Sequence, residues 1–402
     1  MADDFDFFSE KFRTDPHSEY ARMREQCPVA HAGEPYDWWA ATRQADVKEM
    51  VRDYKLWTSE HGPGLAYTGG GVLVSVDPPQ HTSDRRLVQE AFNAEALEAM
   101  EPDIRQLVHA EMDTWIDRGE GDLMELLAMP VPLIVIAWLL GLDTDYCREI
   151  RPRADGVIAK NADEQSAQPL RRDPNREEET AYFLRKLAER RQMIADDVEL
   201  PDDTLTALLT AELDGRVLTD VDVLSFMGFL FIAGSQTTTQ LIGNMVWRLL
   251  QFPDQMELVE NDRTLIPNAV EESLRYDAPV HGLFRTNTEP TTLGGVDIPA
   301  NSKVMCTWFS ANHDPEVWDH PERFDVTRDL ASLKKKHFAF GKGIHNCMGA
   351  PLSRVEGAVA LEAILDRMPN LRLTGEPTMI SAPVLHGVET LPVAWALSDA
   401  QR

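Results

Sequence analysis

The chain has 402 residues, a formal net charge of −28 and a hydrophobic content of 43%. That length and apolar fraction suffice for a sizeable buried core, which excludes a fibrous or disordered chain. The acidic balance repels phosphate backbones and anionic lipid surfaces, so nucleic-acid and membrane-surface binding are disfavoured.

In chain order, the N-terminus MADDFDFFSEKFR has neither the basic start nor the apolar run of a signal peptide. Strand-like residues lie around Trp38 to Thr42, a short helix covers 44–52, and a glycine-rich loop from Gly62 to Gly71 leads to the turn VDPPQHT. Helical patterning dominates from Ala91 to about Glu199, broken by a polar stretch over 161–176 that reads as a surface connection. The most apolar stretches, 131–142 and 223–233, fall short of the ~20 residues that cross a bilayer and read as core helices.

A long helix opens at Thr219, with Asp222 three residues on as a variant capping box, and runs to about Leu250, before Pro253. A shorter helix opens at Pro267 and must end before Pro279. Beta-prone pieces follow around 291–298 and 303–308, and a last helix spans Ala350 to Met368. With no internal repeat and no linker signal, one domain over 1–402 is expected. Its β-containing parts lie mainly over 28–75 and 285–310, its helical core mainly over 80–280 and 347–368.

Four cysteines, Cys27, Cys147, Cys306 and Cys347, are too sparse for a disulfide framework, and no CxxC pair suggests zinc. A reducing cytoplasm is the expected setting. Cys347 stands apart because glycines at 341, 343 and 349 surround it, allowing tight turns and close backbone approach to a flat cofactor. It also sits just before a helix, where unpaired amides and the positive end of the dipole favour a thiolate. Phe340 is placed to cover the sulfur.

The spacing Phe340-x-x-Gly343-x-His345-x-Cys347-x-Gly349 resembles the heme-binding signature of the cytochrome P-450 family, of the soluble bacterial type. The resemblance extends from about Cys27 to Val393, with motifs in family order. It implies a mainly α (α+β) fold, a triangular helical bundle around heme b (iron protoporphyrin IX) with small β-sheets. Cys347 would be the axial iron ligand, with Phe340, Gly341 and Gly349 around it. Glu272-x-x-Arg275 resembles the family's Glu-x-x-Arg, and Pro321-Glu322-Arg323-Phe324 the segment supplying its partner, so Glu272, Arg275 and Arg323 would brace the cysteine loop. His81, Arg85, Arg285 and His345 match the contacts to the two heme propionates.

Ala233-Gly234-Ser235-Gln236-Thr237-Thr238 lies in the long helix, where small residues serve either a close helix crossing, with hydroxyls bonded back to carbonyls, or a notch for dioxygen. The resemblance implies the notch, with Gly234 opening it and Thr237 donating to bound oxygen. The family usually has Asp or Glu at the position of Gln236, and an amide cannot ionise, so protons must come through water, Thr237 or another route. By family position the substrate pocket draws on Leu65, Tyr67, Leu230, Ala233, Val280, Leu283 and Val388.

The implied activity is a monooxygenase that inserts one atom of O2 into a small or medium lipophilic substrate, terpenoid, aromatic or steroid-like, by hydroxylation or epoxidation. No flavin or iron-sulfur module is present in 402 residues, so electrons from NAD(P)H would arrive through a separate reductase and an acidic ferredoxin. Seven basic residues against two acids between Arg323 and Arg354 mark a docking surface, centred on Lys334, Lys335, Lys336 and Lys342. The alternatives are a heme-thiolate ligand sensor and a peroxide-driven oxygenase; a monomer is expected.

Overall fold

The computed structural model describes residues 7, 9–33, 37–67, 71–89, 92–148, 174–213, 216–380 and 384–397. The polar stretch 161–176 lies outside the described residues except for its last three positions, and the glycine-rich loop is described except at 68–70.

Helices dominate. The longest, Asp220–Gln251, begins as its capping chemistry requires: the Thr219 hydroxyl accepts from Asp222 N at 3.2 Å, while Asp222 Oδ2 accepts from Thr219 N at 2.8 Å. It stops at Phe252, because Pro253 cannot continue it. At 32 residues it exceeds the apolar stretch 223–233 that marks it in the sequence, and by length and composition alone it could cross a membrane. Here it is a core helix, packed against Pro130–Leu140, Ile266–Tyr276 and Ala350–Arg367. Pro130–Leu140 has no polar side chain and is shielded nearly all round.

The main sheet runs in the order Val29–Ala32, Trp38–Ala41, Lys303–Thr307, Gly282–Asn287, Trp57–Thr58. Trp38–Ala41 and Lys303–Thr307 are parallel, and every other pairing is antiparallel. All five residues of Lys303–Thr307 are buried, as suits a central strand. The sheet thereby joins the start of the chain to its last third, and alternate residues of Gly282–Asn287 face opposite sides: Leu283 enters the cluster with Val304 and Trp308, Phe284 the cluster with Trp38 and Phe309.

Short strands at 120–122, 372–373 and 392–394 form a second sheet, and 378–379 pairs with 388–390. None is marked in the sequence, since two or three residues carry no measurable period. They close the C-terminal segment over the long helix, where Val388 packs beside Met124 and Gly243.

Candidate functional site

The cysteine loop leaves the helix Leu330–Lys336 and enters Ala350–Arg367. Gly341 and Gly343 take φ of +62° and +72°, and a Cβ at Gly343 would lie 2.3 Å from the Val51 carbonyl oxygen, so only glycine fits there. The turn closes on itself: Gly341 N donates to Phe338 O at 2.7 Å and Cys347 N to Phe340 O at 2.9 Å. Phe340 is half-buried behind it.

Burial pushes the Cys347 thiol pKa up, while N–H groups of Gly349 and Ala350 donate to its sulfur and, with Arg85 and Arg354, pull it back down. The residue is nonetheless exposed, so its sulfur is within reach of a bound group. Cys147 and Cys306 are buried, their thiols pushed up to about 12 and about 11 with no amide at the sulfur. Cys347 therefore suits a cationic metal, whose own charge would reverse the effect of burial.

Beside the loop, four basic residues from three segments converge. His81 is buried, with its ring 4.4 Å from that of His345. Arg85 Nη1 donates to Asn346 O at 2.8 Å, and Arg285, also buried, donates to Phe284 O at 2.9 Å. His345 Nε2 lies 3.1 Å from Ser59 Oγ and 3.8 Å from Asp77 Oδ1. Burial, then the neighbouring His345 and Arg85, push His81 down to about 4. Asp77 is the one acid acting on it among those neighbours, and Asp77 is already engaged by Thr58 and Ser59 N. A cluster so short of negative charge fits a ligand carrying carboxylates, as the two heme propionates would.

The bracing helix Ile266–Tyr276 presents Glu272 and Arg275, both fully buried. Arg275 donates to Glu272 at 2.8 and 2.7 Å, and to the carbonyls of Asn312, Pro321 and Arg323. The third charge is Arg328, not Arg323: Arg328 Nε lies 3.2 Å from Glu272 Oε1. Arg323 points into solvent at 59% exposure, 4.0 Å from Asp254, and contributes only its carbonyl. The reason is that Phe324, the next residue, is fully buried, which turns its neighbour outward; the chain then curls back five residues later.

Next to Glu272, Glu271 is also buried. It takes His337 Nε2 at 2.7 Å and the Arg354 guanidinium, and despite opposing burial these partners hold its carboxyl down at about 2. Sequence reasoning missed Glu271, although an adjacent glutamate with His337 and Arg354 on either side of the cysteine loop was visible.

In the long helix, Thr237 Oγ1 donates to Ala233 O at 2.9 Å, and Ser235 and Thr239 bond back in the same way at 2.8 and 3.0 Å. A Cβ on Gly234 would lie 2.6 Å from Ile136 Cδ1. The glycine thus serves the close crossing with Pro130–Leu140, the other of the two roles open to a small residue at this position. Gln236 is half-buried.

Five of the pocket residues, Leu230, Ala233, Val280, Leu283 and Val388, are buried or half-buried. The two loop residues depart from expectation. Leu65 packs with Phe284 on the sheet face opposite Leu283, and Tyr67 is 59% exposed. Tyr67 bonds Asn301 O and lies 5.0 Å from the Lys303 ammonium, which fastens the loop through the carbonyls of His61 and Gly62.

The basic run is also thinner than its sequence suggests. Lys334, Lys335 and Lys336 are exposed, but Lys342 is half-buried and bonded to Lys335 O, while Arg328 and Arg354 turn inward to Glu272 and Glu271. A cleft of about 560 Å³ opens beside them, lined by Arg105, Arg263, Lys334 and Arg354 among others.

Two outcomes follow. Arg328→Ala leaves the fully buried Glu272 short of a cation and is expected to cost on the order of 3 kcal/mol in urea unfolding, whereas Arg323→Ala changes stability by less than about 0.5 kcal/mol; equal costs would reject the exchange of roles. For His81, the folded pKa of about 4 lies below the ordinary 6.5. Between those values the unfolded chain binds a proton that the folded heme-free chain refuses, so stability falls as pH drops from 6.5 towards 4 and stops falling below that. His81→Gln should flatten that slope in urea melts at pH 7 and 5, and an unchanged slope would acquit His81.

The family "Cytochrome P450" matches residues 44–369. Cytochrome P450 107B1 of Saccharopolyspora erythraea is 35% identical, with 96% of each chain covered. The 6-deoxyerythronolide B hydroxylase of the same organism is 35% identical over 96% of this chain and 98% of that one. Among solved structures, CYP109E1 from Bacillus megaterium in complex with testosterone superposes with a TM-score of 0.84 at 29% identity, covering 97% of this chain and all of that one (100%). With an amide-lined cysteine, a carboxylate-seeking basic cluster and this end-to-end likeness, the chain belongs to the cytochrome P450 family of heme-dependent monooxygenases.

Proposed function

We propose that Cys347 is the axial thiolate of the heme and that the enzyme oxidises a lipophilic substrate held against the Ala233–Thr237 segment of the long helix. The observation that carries this reading is the exposed Cys347, with the backbone amides of Gly349 and Ala350 directed at its sulfur. His81, Arg85, Arg285 and His345 would hold the two propionates, and Gly341 and Gly343 keep the loop free of side chains where it meets its neighbours. When bound, the heme supplies activation of O2 and transfer of one oxygen atom to the substrate.

The chain's own tasks are then to bind, exclude water and handle protons. Thr237 Oγ1 keeps its proton on Ala233 O and retains lone pairs for a second bond, so it can accept from a water while remaining anchored. Gln236 can orient such a water but not ionise, so the water would carry the proton and Thr237 Oγ1 would hold that water in place. Leu230, Ala233, Val280, Leu283 and Val388 offer an apolar lining, favouring a lipophilic substrate. The named relatives, a 6-deoxyerythronolide B hydroxylase and a testosterone-bound P450, support a molecule of the size of 6-deoxyerythronolide B or testosterone. The described cysteines are all free, in keeping with a cytoplasmic enzyme.

Electrons would come from an acidic ferredoxin docking on Lys334, Lys335 and Lys336, the exposed part of the basic run.

The ferrous carbonyl adduct of the heme-loaded enzyme should carry the red-shifted absorption of sulfur ligation and lose it in Cys347→Ser; a serine variant with an unaltered spectrum ends this reading. Reduction by ferredoxin should slow with added salt and with charge reversal at Lys334–Lys336. Rates indifferent to both would place the docking surface elsewhere.

A further inference from the structure

Glu271 and Glu272 stand side by side on one helix, both buried, and reach in different directions. Glu272 holds Arg275 and Arg328, together with Asp325 N. Glu271 grips the cysteine loop itself. Its Oε2 lies 2.7 Å from Nε2 of His337, where the chain enters the loop, and its Oε1 accepts from Nε of Arg354, on the helix by which the chain leaves. One carboxylate thereby ties the loop's entrance to its exit.

The two partners are held in definite states. His337 Nδ1 accepts from Ala339 N at 3.2 Å, which leaves Nε2 to carry the proton donated to Glu271. Arg354 lays its guanidinium 4.6 Å from the centre of the Phe340 ring. The carbonyl of that same Phe340 accepts the N–H of Cys347. A cation anchored by a buried carboxylate thus sits one aromatic ring from the peptide that carries the thiol.

We infer that Arg354, clamped by Glu271 and His337, is a positioning residue for the thiolate. Its charge on the face of Phe340 keeps the Phe340–Cys347 hydrogen bond in register and sets part of the field in which the sulfur meets the heme iron. The inference rests on Cys347 being the ligand. It competes with a simpler role, in which Arg354 merely neutralises Glu271, whose burial would otherwise leave an unpaired charge.

Glu271→Gln combined with Arg354→Met separates the two, because it removes both charges and leaves no unpaired carboxylate. In the full-length, heme-loaded enzyme the measurements are the reduction potential and the rate at which the ferrous carbonyl adduct loses its sulfur signature. Of the two charges removed, Arg354 is the one that acts on Cys347; its loss disfavours the electron-richer reduced state, so the double variant should have a more negative potential and lose the signature roughly fivefold faster. Glu271→Gln with Arg354→Lys restores the charge and should recover most of both changes. A double variant with wild-type potential and decay rate overturns the inference, since neutralising Glu271 was then all that Arg354 did. If the methionine variant fails to load heme, recovery by the lysine variant sustains the inference and equal failure of the two overturns it. A wild-type enzyme without the sulfur signature would instead refute the ligand assignment itself.

Discussion

The opposition between burial of the Cys347 sulfur and the groups that favour its charged form is the constraint around which the cysteine loop is organised. Desolvation works against the charged form, and the fold answers with backbone amides at Gly349 and Ala350 and cations at Arg85 and Arg354. Amides can be aimed in this way only if the loop turns sharply and then enters a helix. The left-handed glycines at 341 and 343, the Gly349 cap and Pro351 in the first helical turn meet those two demands. Much of the remaining architecture secures that turn. The helix Ile266–Tyr276 grips it through Glu271 and holds the preceding segment through Glu272, and the helix Gln44–Arg52 presses against it at Val51.

The basic cluster obeys the opposite logic. His81, Arg85, Arg285 and His345 come from distant parts of the chain and weaken one another as bases. Backbone carbonyls hold two of them, Arg85 bonding that of Asn346 and Arg285 that of Phe284. The cost of gathering like charges is then recovered on binding an anion. A site of this kind is poorly balanced alone and well balanced when filled, so cofactor retention and stability are coupled.

Much of this was legible in the sequence. The glycine spacing around Cys347, the Thr219–Asp222 cap and the proline-bounded helix carrying Glu272 are local signals, and local signals survive folding. Roles set by which residue turns inward did not survive. Arg323 and Arg328 are both arginines on one irregular segment, and the burial of Phe324 decides between them. Glu271 was hidden by its neighbour, and Arg354 counted as surface charge until its carboxylate was seen. Tyr67 and Leu65 sit on a loop whose path depends on Lys303, more than two hundred residues away. The short strands near the C-terminus exist only because other strands are there to pair with them.

The crossing at Gly234 has a wider meaning. Ile136 fills the space that a side chain would take, so a residue on another helix bears directly on the main chain of the long helix, three positions before Thr237. On the long helix itself no side chain stands between them. The placement of the Thr237 hydroxyl is consequently sensitive from behind to the volume of an aliphatic group on another helix. Selection acting on Ile136 could retune the chemistry without altering any residue that meets the substrate.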